Sequence, residues 1–349
     1  MKGCFWILSL VFVFCGALDL NAQEEPIRLP TANDALLRGD YEAFYMFVDR
    51  DVNGVKTTPW EGGTYGMVRG PRPWNGGTIM GHWHEGIDIQ PMRRDAKGEP
   101  QDEVKSIATG QVVHASRSPR DSNYGCYVVV KHSWSGAFYY SLYAHLSSVK
   151  VTVGEMVKPG QLLGVMGHTG EGLDIRRAHL HLEITLLLNE RFDDWYQSHV
   201  AGENNKHGAF NGMNLVGFDV AKWVIAQQKN PGLTVSGFLE QQEPWFAIAF
   251  PEGKPFDLLR RYPWLVKDNA KSSTGAWQIK FTQGGVPILA EPYLEKLTAP
   301  KVTYVKSEPL PVSIITKGYV TSNGGRLVLT GNGEKWIALL SGNFPGSVQ

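Results

Sequence analysis

Cysteine is scarce in this sequence, and neither sign of charge is in excess. The 349 residues include 3 cysteines, and Lys+Arg and Asp+Glu number 34 each. The balanced charge argues against nucleic-acid binding, because a protein that binds nucleic acid is usually basic. Cys4 and Cys15 lie in an apolar N-terminal stretch, so a chain cleaved after that stretch keeps Cys126 alone and forms no intramolecular disulfide. Its stability must then come from an apolar core, which a bound metal would reinforce.

The N-terminal stretch has the features of an export signal. One Lys precedes the apolar residues from about 4 to 18, and the small residue Ala22 follows. This pattern predicts a secretory signal peptide over residues 1–22, which is too short for a comfortable membrane span. We therefore expect export to the periplasm, the cell envelope or the medium, with no stable membrane span after cleavage. Leu20 stands where a small residue is preferred, so an uncleaved anchor is the alternative.

The composition predicts a mainly β fold. Glycine and proline number 39 and 20, and charged residues make up 19% of the chain, which is typical of turn-rich β proteins. Changes in pattern along the chain predict four parts after the signal peptide. They are an N-terminal segment (23–59), a domain of short strands (60–190), a short helical linker or packing region (191–265) and a small β-rich C-terminal domain (266–349).

Three local patterns are specific enough to predict individual elements. Val220, Trp223 and Val224 have helical spacing, with Asp219 as the predicted helix cap. Asn323-Gly324-Gly325 separates two β-rich runs and predicts a hairpin over 318–330. The polar stretch "PMRRDAKGEPQDE", 91–103, predicts a surface loop.

The stretch "RRAHLHLEI", 176–184, alternates apolar and polar residues. On a β-strand, successive side chains point to opposite faces, so His179, His181 and Glu183 would share one face. One interpretation is a half-buried strand whose polar face meets water. The other is a metal site, because neutral imidazole is a good zinc ligand.

A second candidate group occurs in "GHWHEGIDI", 81–89. On an extended strand His84, Gly86 and Asp88 share a face, and the glycine leaves space for a metal between the imidazole and the carboxylate. His82 is an alternative ligand, because it forms a His-x-His pattern with His84. Catalytic zinc needs about three protein ligands and an open position.

The ligands would be His84, Asp88 and one of His179 and His181. His145, in the run "YAHL", is either a core residue or a further member of this site. In the second case His145 and the remaining histidine would act as acid–base or oxyanion groups.

The order of these motifs resembles that of a known family. The sequence has His84-x-x-x-Asp88, then Tyr143-Ala-His145-Leu146, then "GVMGHTG" at 164–170, then His179-Leu-His181. In this order and spacing, residues 60–186 resemble the lysostaphin-type, or LytM-type, zinc metallopeptidases with the duplicated hybrid motif. The resemblance implies an antiparallel β-sheet catalytic domain that binds Zn²⁺ through His84, Asp88 and His181. It also implies that His145 and His179 are the catalytic residues beside the attacking water.

The resemblance implies a function as well. We expect a secreted zinc metalloendopeptidase that hydrolyses peptide bonds in the stems or cross-links of cell-wall peptidoglycan. One alternative is a non-catalytic LytM-like regulator of other wall hydrolases, although such domains lack ligands that this chain retains. Another is a zinc peptidase that acts on protein substrates.

Some features depart from the family pattern or fall outside it. His168 and the long loops 91–103 and 171–178 are expected to affect substrate contacts rather than the metal. The other histidines are predicted to be surface or structural residues, namely His82, His114, His132, His199 and His207.

Overall fold

A computed structural model describes residues 24–48, 58–200, 202, 204–252, 257–267 and 270–345. The predicted signal peptide, 1–22, lies outside the described residues. The described strands are β1 (Gly66–Trp74), β2 (Gly77–His84), β3 (Ile87–Ile89), β4 (Glu103–Lys105), β5 (Gly110–Ser116), β6 (Tyr127–Trp134), β7 (Ala137–Ala144), β8 (Leu146–Val149), β9 (Met156–Val157), β10 (Leu162–Met166), β11 (Leu180–Leu187), β12 (Leu215–Gly217), β13 (Phe246–Phe250), β14 (Trp277–Phe281), β15 (Pro287–Pro292), β16 (Lys301–Val305), β17 (Val320–Asn323) and β18 (Arg326–Leu329). The described α-helices are α1 (Tyr41–Phe44), α2 (Phe192–His199), α3 (Val220–Lys229), α4 (Val235–Glu240), α5 (Asp257–Arg261), α6 (Val312–Ile315) and α7 (Gly331–Ser341).

The predicted mainly β fold is confirmed, and its centre is a seven-stranded antiparallel sheet. The strand order is β12-β11-β7-β6-β5-β9, and β3 also pairs with β11. The pairing places His181 of β11 opposite Asp88 of β3 on one side and Ala144 of β7 on the other. A separate hairpin, β1–β2, ends at His84, and a three-stranded sheet has the order β4-β10-β8. These connections bring the three histidine motifs to neighbouring strands.

Strand β11 is buried along its whole length. Leu180, Leu182 and Ile184 join the main apolar core on one face, and His181 and Glu183 on the other face are buried as well. The interpretation in which the polar face of this strand meets water is therefore wrong. Buried polar side chains need partners, and the partners of His181 and Glu183 are described below.

The C-terminal half combines strands and helices. An antiparallel sheet has the order β15-β14-β13-β16, and β17 and β18 form the hairpin predicted over 318–330. Gly324 and Gly325 both have positive φ angles, 56° and 78°, as a tight hairpin turn requires. Strand β13 lies within the region predicted to be helical, 191–265, yet it pairs with β14 and β16. The predicted domain boundaries themselves stay a prediction.

Helix α3 begins as its sequence predicts. The Asp219 side chain accepts a hydrogen bond from the backbone N–H of Lys222, which satisfies one of the free donors of the first turn. Trp223 and Val224 of this helix are buried in the main core. The Cys126 thiol is free and buried. Within the described ranges, no helix has the length and apolar character that crossing a membrane requires.

Candidate metal centre

Three buried side chains meet where β2, β3 and β11 come together. His84 Nε2 lies 3.1 Å from Asp88 Oδ1 and 3.1 Å from His181 Nδ1. Asp88 Oδ1 and His181 Nδ1 are 3.0 Å apart. Zinc bonded tetrahedrally to nitrogen or oxygen at its usual distance would hold its ligand atoms about 3.3 Å apart. The three atoms therefore have nearly the spacing of one face of a zinc coordination tetrahedron. His84, Asp88 and His181 form a group of residues able to hold a metal ion.

Gly86 has a different role from the one that its sequence context suggests. A Cβ atom at this position would lie 2.4 Å from the carbonyl oxygen of Leu182, so a larger residue cannot fit against β11. The glycine lets the chain between β2 and β3 cross close to β11. This close crossing brings His84 and Asp88 beside His181. The missing side chain of Gly86 thus makes room for the backbone of β11.

Hydrogen bonds to the far side of each imidazole orient the two histidine ligands. His84 Nδ1 donates to the carbonyl oxygen of Thr64 at 2.7 Å, and His181 Nε2 donates to Glu183 Oε1 at 2.8 Å. The hydroxyl of Tyr124 also donates to Glu183 Oε1, at 2.7 Å. These partners favour the tautomers in which His84 Nε2 and His181 Nδ1 keep their lone pairs for a metal.

Burial and neighbouring charges shift the pKa values of the three candidate ligands. Burial opposes a charge on His181, but its bonds with Asp88 and Glu183 outweigh that effect and raise its pKa to about 9. Burial lowers the pKa of His84, although Asp88 opposes this. Burial alone would raise the pKa of Asp88, but the neighbouring His179, His84 and Arg69 hold it well below its usual range. A metal that binds near neutral pH must therefore displace a proton from His181.

The other two predicted site histidines lie beside this group. The rings of His145 and His179 are 4.7 Å apart, and His145 is 5.8 Å from the ring of His181. His145 Nδ1 donates to the carbonyl oxygen of Thr169 at 2.9 Å, and His179 Nδ1 donates to that of Arg177 at 2.6 Å. His145 thus keeps Nε2 as its basic nitrogen, whereas His179 Nε2 lies 3.3 Å from Asp88 Oδ1. Burial, together with the nearby His179 and His181, holds the pKa of His145 well below its usual range.

Sequence patterns did not identify three side chains of this site. Glu183 and Tyr124 form the hydrogen-bonded chain to His181, and Arg69 contacts both Asp88 and His84. For Glu183 a signal existed, because strand alternation puts it on the face of His181. Arg69 and Tyr124 have no periodic relation to the metal motifs.

The predicted loops 91–103 and 171–178 lie against each other. Arg94 donates to the carbonyl oxygen of Ile175 at 2.6 Å and to that of Arg176 at 3.2 Å. His168 is half-buried, and its Nε2 lies 3.2 Å from Glu99 Oε2, so it contacts the first of these loops.

The remaining histidines lie outside the three-ligand group. His82 is exposed, although it shares the His-x-His pattern with His84. His132 is fully buried and bonds to the carbonyl oxygen of Thr109 and the hydroxyl of Ser141. His207 bonds to the hydroxyl of Tyr127. The positions of His132 and His207 fit the structural role predicted for them.

The part of the chain that contains this site is similar to known proteins. Residues 82–193 match the profile of "Peptidase family M23". "Outer membrane antigenic lipoprotein B" of Histophilus somni is 36% identical over 103 residues, which are 28% of this chain and 27% of that protein. The protein of the same name from Haemophilus influenzae is 29% identical over 146 residues, 39% of this chain and 32% of that protein. The chain thus spans no more than about a third of these curated relatives.

Two solved structures are also similar. The catalytic domain of lysostaphin from Staphylococcus simulans has 24% sequence identity and a TM-score of 0.29, and the match covers 46% of this chain and 88% of that one. A zinc-containing peptidase from Vibrio cholerae has 26% identity and a TM-score of 0.25, with coverage of 41% and 36%. The matched family region contains His84, Asp88, His145, His179 and His181. Residues 82–193 of this chain match peptidase family M23, in agreement with the LytM-type motifs of the sequence.

Proposed function

We propose that this protein is an exported zinc metalloendopeptidase that hydrolyses peptide bonds in the stems or cross-links of cell-wall peptidoglycan. The observation that carries the proposal is the triangle of His84 Nε2, Asp88 Oδ1 and His181 Nδ1, with sides of 3.0–3.1 Å. Two further buried imidazoles lie beside the triangle. Family membership supports peptidase activity, and the LytM-type motifs support peptidoglycan as the substrate.

In the proposed mechanism His84, Asp88 and His181 hold the zinc ion. Bound zinc supplies Lewis acidity toward the carbonyl of the scissile peptide bond. The Nδ1 atoms of His145 and His179 bond to backbone carbonyls, which leaves Nε2 of each ring for the reaction, and His179 Nε2 lies 3.3 Å from Asp88 Oδ1. One of the two histidines accepts a proton from the attacking water and passes it to the leaving amine nitrogen as the C–N bond breaks. The other, in its protonated form, donates Nε2–H to the oxyanion that develops on the carbonyl.

The proposed location is the cell envelope. The predicted signal peptide supports export, and the names of two relatives refer to the outer membrane. Peptidoglycan lies outside the cytoplasm, so export and substrate agree with each other.

The test uses the purified full chain and purified peptidoglycan, with and without a metal chelator. Mass spectrometry of the released fragments identifies which bond is cut. We expect peptide cleavage that the chelator abolishes and added zinc restores. His145→Ala and His179→Ala should keep their zinc and lose about a hundred- to ten-thousand-fold in turnover, the usual contribution of a general acid–base group.

Three results would contradict the proposal or its mechanism. Cleavage of a protein substrate without cleavage of peptidoglycan would favour a general peptidase. Binding of zinc with no cleavage of either substrate would favour a non-catalytic LytM-like regulator of other wall hydrolases. Near wild-type turnover of both histidine variants would contradict the mechanism even if zinc binds.

A further inference from the structure

Arg69, on strand β1, contacts two of the three proposed metal ligands. Its Nη2 atom makes an ion pair with Asp88 Oδ2 and lies 3.0 Å from His84 Nε2. Its Nε atom donates to the carbonyl oxygen of Gly62 at 3.0 Å. The guanidinium is therefore held at both ends. Arg69 precedes the family-matched region, 82–193, so that match gives it no role.

An irregularity in the β1–β2 hairpin accounts for the direction of this side chain. The register of the two strands shifts between Met67 and Arg69, and Gly70 has a φ angle of 60°. Bulges of this kind turn a side chain away from the regular strand direction and are common next to active sites. The Arg69 side chain is 29% exposed and that of Asp88 is 1% exposed, so the guanidinium extends from solvent to the buried carboxylate.

The two oxygens of Asp88 have different partners. Oδ1 belongs to the ligand triangle, whereas Oδ2 accepts the charge-assisted bond from Arg69. A carboxylate can bind a metal through one oxygen or through both. A four-coordinate zinc with one position open for catalysis needs a single oxygen from Asp88. A guanidinium on Oδ2 opposes the two-oxygen mode, because that oxygen would have to exchange a strong bond for the metal.

We propose that Arg69 is a positioning residue of the metal centre, which keeps Asp88 bound to the metal through Oδ1 alone and so preserves the open position. This inference rests on the proposed zinc site. The lone pair of His84 Nε2 can serve one partner at a time, so a metal displaces Arg69 from His84 while the bond to Asp88 remains. Removing the guanidinium frees Oδ2 and also removes a positive charge next to the metal. The metal should therefore stay bound, and its coordination should change.

The experiment uses cobalt(II) as the probe metal in the chelator-treated full chain. Four-coordinate cobalt absorbs visible light more strongly than five-coordinate cobalt does. We expect Arg69→Met to bind one equivalent of cobalt with weaker, shifted absorption bands and to lose about 10- to 100-fold in turnover, as is typical for residues that orient ligands. Arg69→Lys, which retains the charge and a donor, should recover part of the wild-type spectrum. Arg72→Met, an exposed position on the same strand, is the matched control and should leave spectrum and turnover unchanged.

The possible outcomes separate this inference from the metal assignment. An Arg69→Met spectrum identical to that of the wild type would overturn the positioning role, whatever its turnover. Loss of all cobalt binding in Arg69→Met, with an unchanged melting temperature, would also overturn it. Failure of the wild type to bind cobalt at all would instead refute the proposed metal site.

Discussion

Replacing Glu183 by glutamine should change how zinc affinity depends on pH. The carboxylate of Glu183 is 1% exposed and accepts hydrogen bonds from His181 Nε2 and the Tyr124 hydroxyl. Its other oxygen, Oε2, is buried and has no hydrogen-bond partner among the described residues. Glutamine keeps the shape and one acceptor but removes the charge. The variant therefore tests the electrostatic contribution of Glu183 to His181 separately from its packing.

Two opposing effects set the expected magnitude. The pKa of His181 is about 9, so at pH 7, two units lower, zinc must displace a proton from this imidazole. At 1.36 kcal/mol per unit this corresponds to about 2.7 kcal/mol, so wild-type affinity should rise roughly tenfold per pH unit up to about pH 9. Glutamine lowers the pKa of His181, which reduces this proton competition. Glutamine also makes the imidazole a weaker ligand. Loss of a partner that orients a ligand typically lowers metal affinity by about 10- to 100-fold.

The assay is competition with a chromophoric chelator between pH 6 and pH 9. Glu183→Gln should bind zinc more weakly than the wild type at pH 9, and the difference should narrow toward pH 7. Calorimetry in buffers of different ionisation enthalpy should detect about one proton released per zinc by the wild type at pH 7, and fewer by the variant. Glu171→Gln, on an exposed loop, is the control. Parallel affinity–pH curves for Glu183→Gln and the wild type would show that the charge of Glu183 does not affect proton competition at His181.

Two further predictions concern stability. Burial lowers the pKa of His132 to about 4 in the folded chain. An unfolded histidine has a pKa near 6.5, so neutral His132 contributes fully to the free energy of unfolding above pH 6.5. That free energy falls by up to about 3 kcal/mol as the pH decreases toward 4. Denaturant unfolding across that range should show a shallower loss of stability for His132→Gln, and equal pH slopes would contradict the prediction. Gly170→Ala should destabilise the fold by about 2 kcal/mol or more, since φ is 104° and a Cβ atom would lie 2.1 Å from the carbonyl oxygen of Asn123. Gly172 has a φ angle of 75° and open space around the Cβ position, so Gly172→Ala should lower the free energy of unfolding by about 1 kcal/mol. Equal losses of stability in the two variants would argue against a clash at Gly170.

The local sequence predicts much of the fold where a pattern has one physical meaning. Asp219 followed by apolar residues at helical spacing predicts α3, and two glycines between β-rich runs predict the hairpin of β17 and β18. Strand β13 was missed because all five of its residues are buried, and an apolar run without alternation has no period to distinguish a strand from a helix.

The candidate site was predictable to the extent that its residues lie in ordered motifs. His84, Asp88 and His181 come together as expected, because β3 and β11 pair with Asp88 opposite His181. The catalytic and ligand roles of the five residues stay predictions. Arg69 could not be found in this way, because its direction depends on the irregular pairing of β1 with β2. A strand pattern does not encode such a register shift.

The zinc content of the purified full chain and its variants shows whether His84, Asp88 and His181 bind zinc. We expect about one zinc per wild-type chain and almost none in His181→Ala, which removes one of three ligands. His82→Ala is the matched control, because His82 is exposed and only two residues from His84, and it should retain the wild-type content. Melting temperatures measured in parallel identify any variant that fails to fold. Wild-type zinc content in a folded His181→Ala variant would show that His181 is not a zinc ligand.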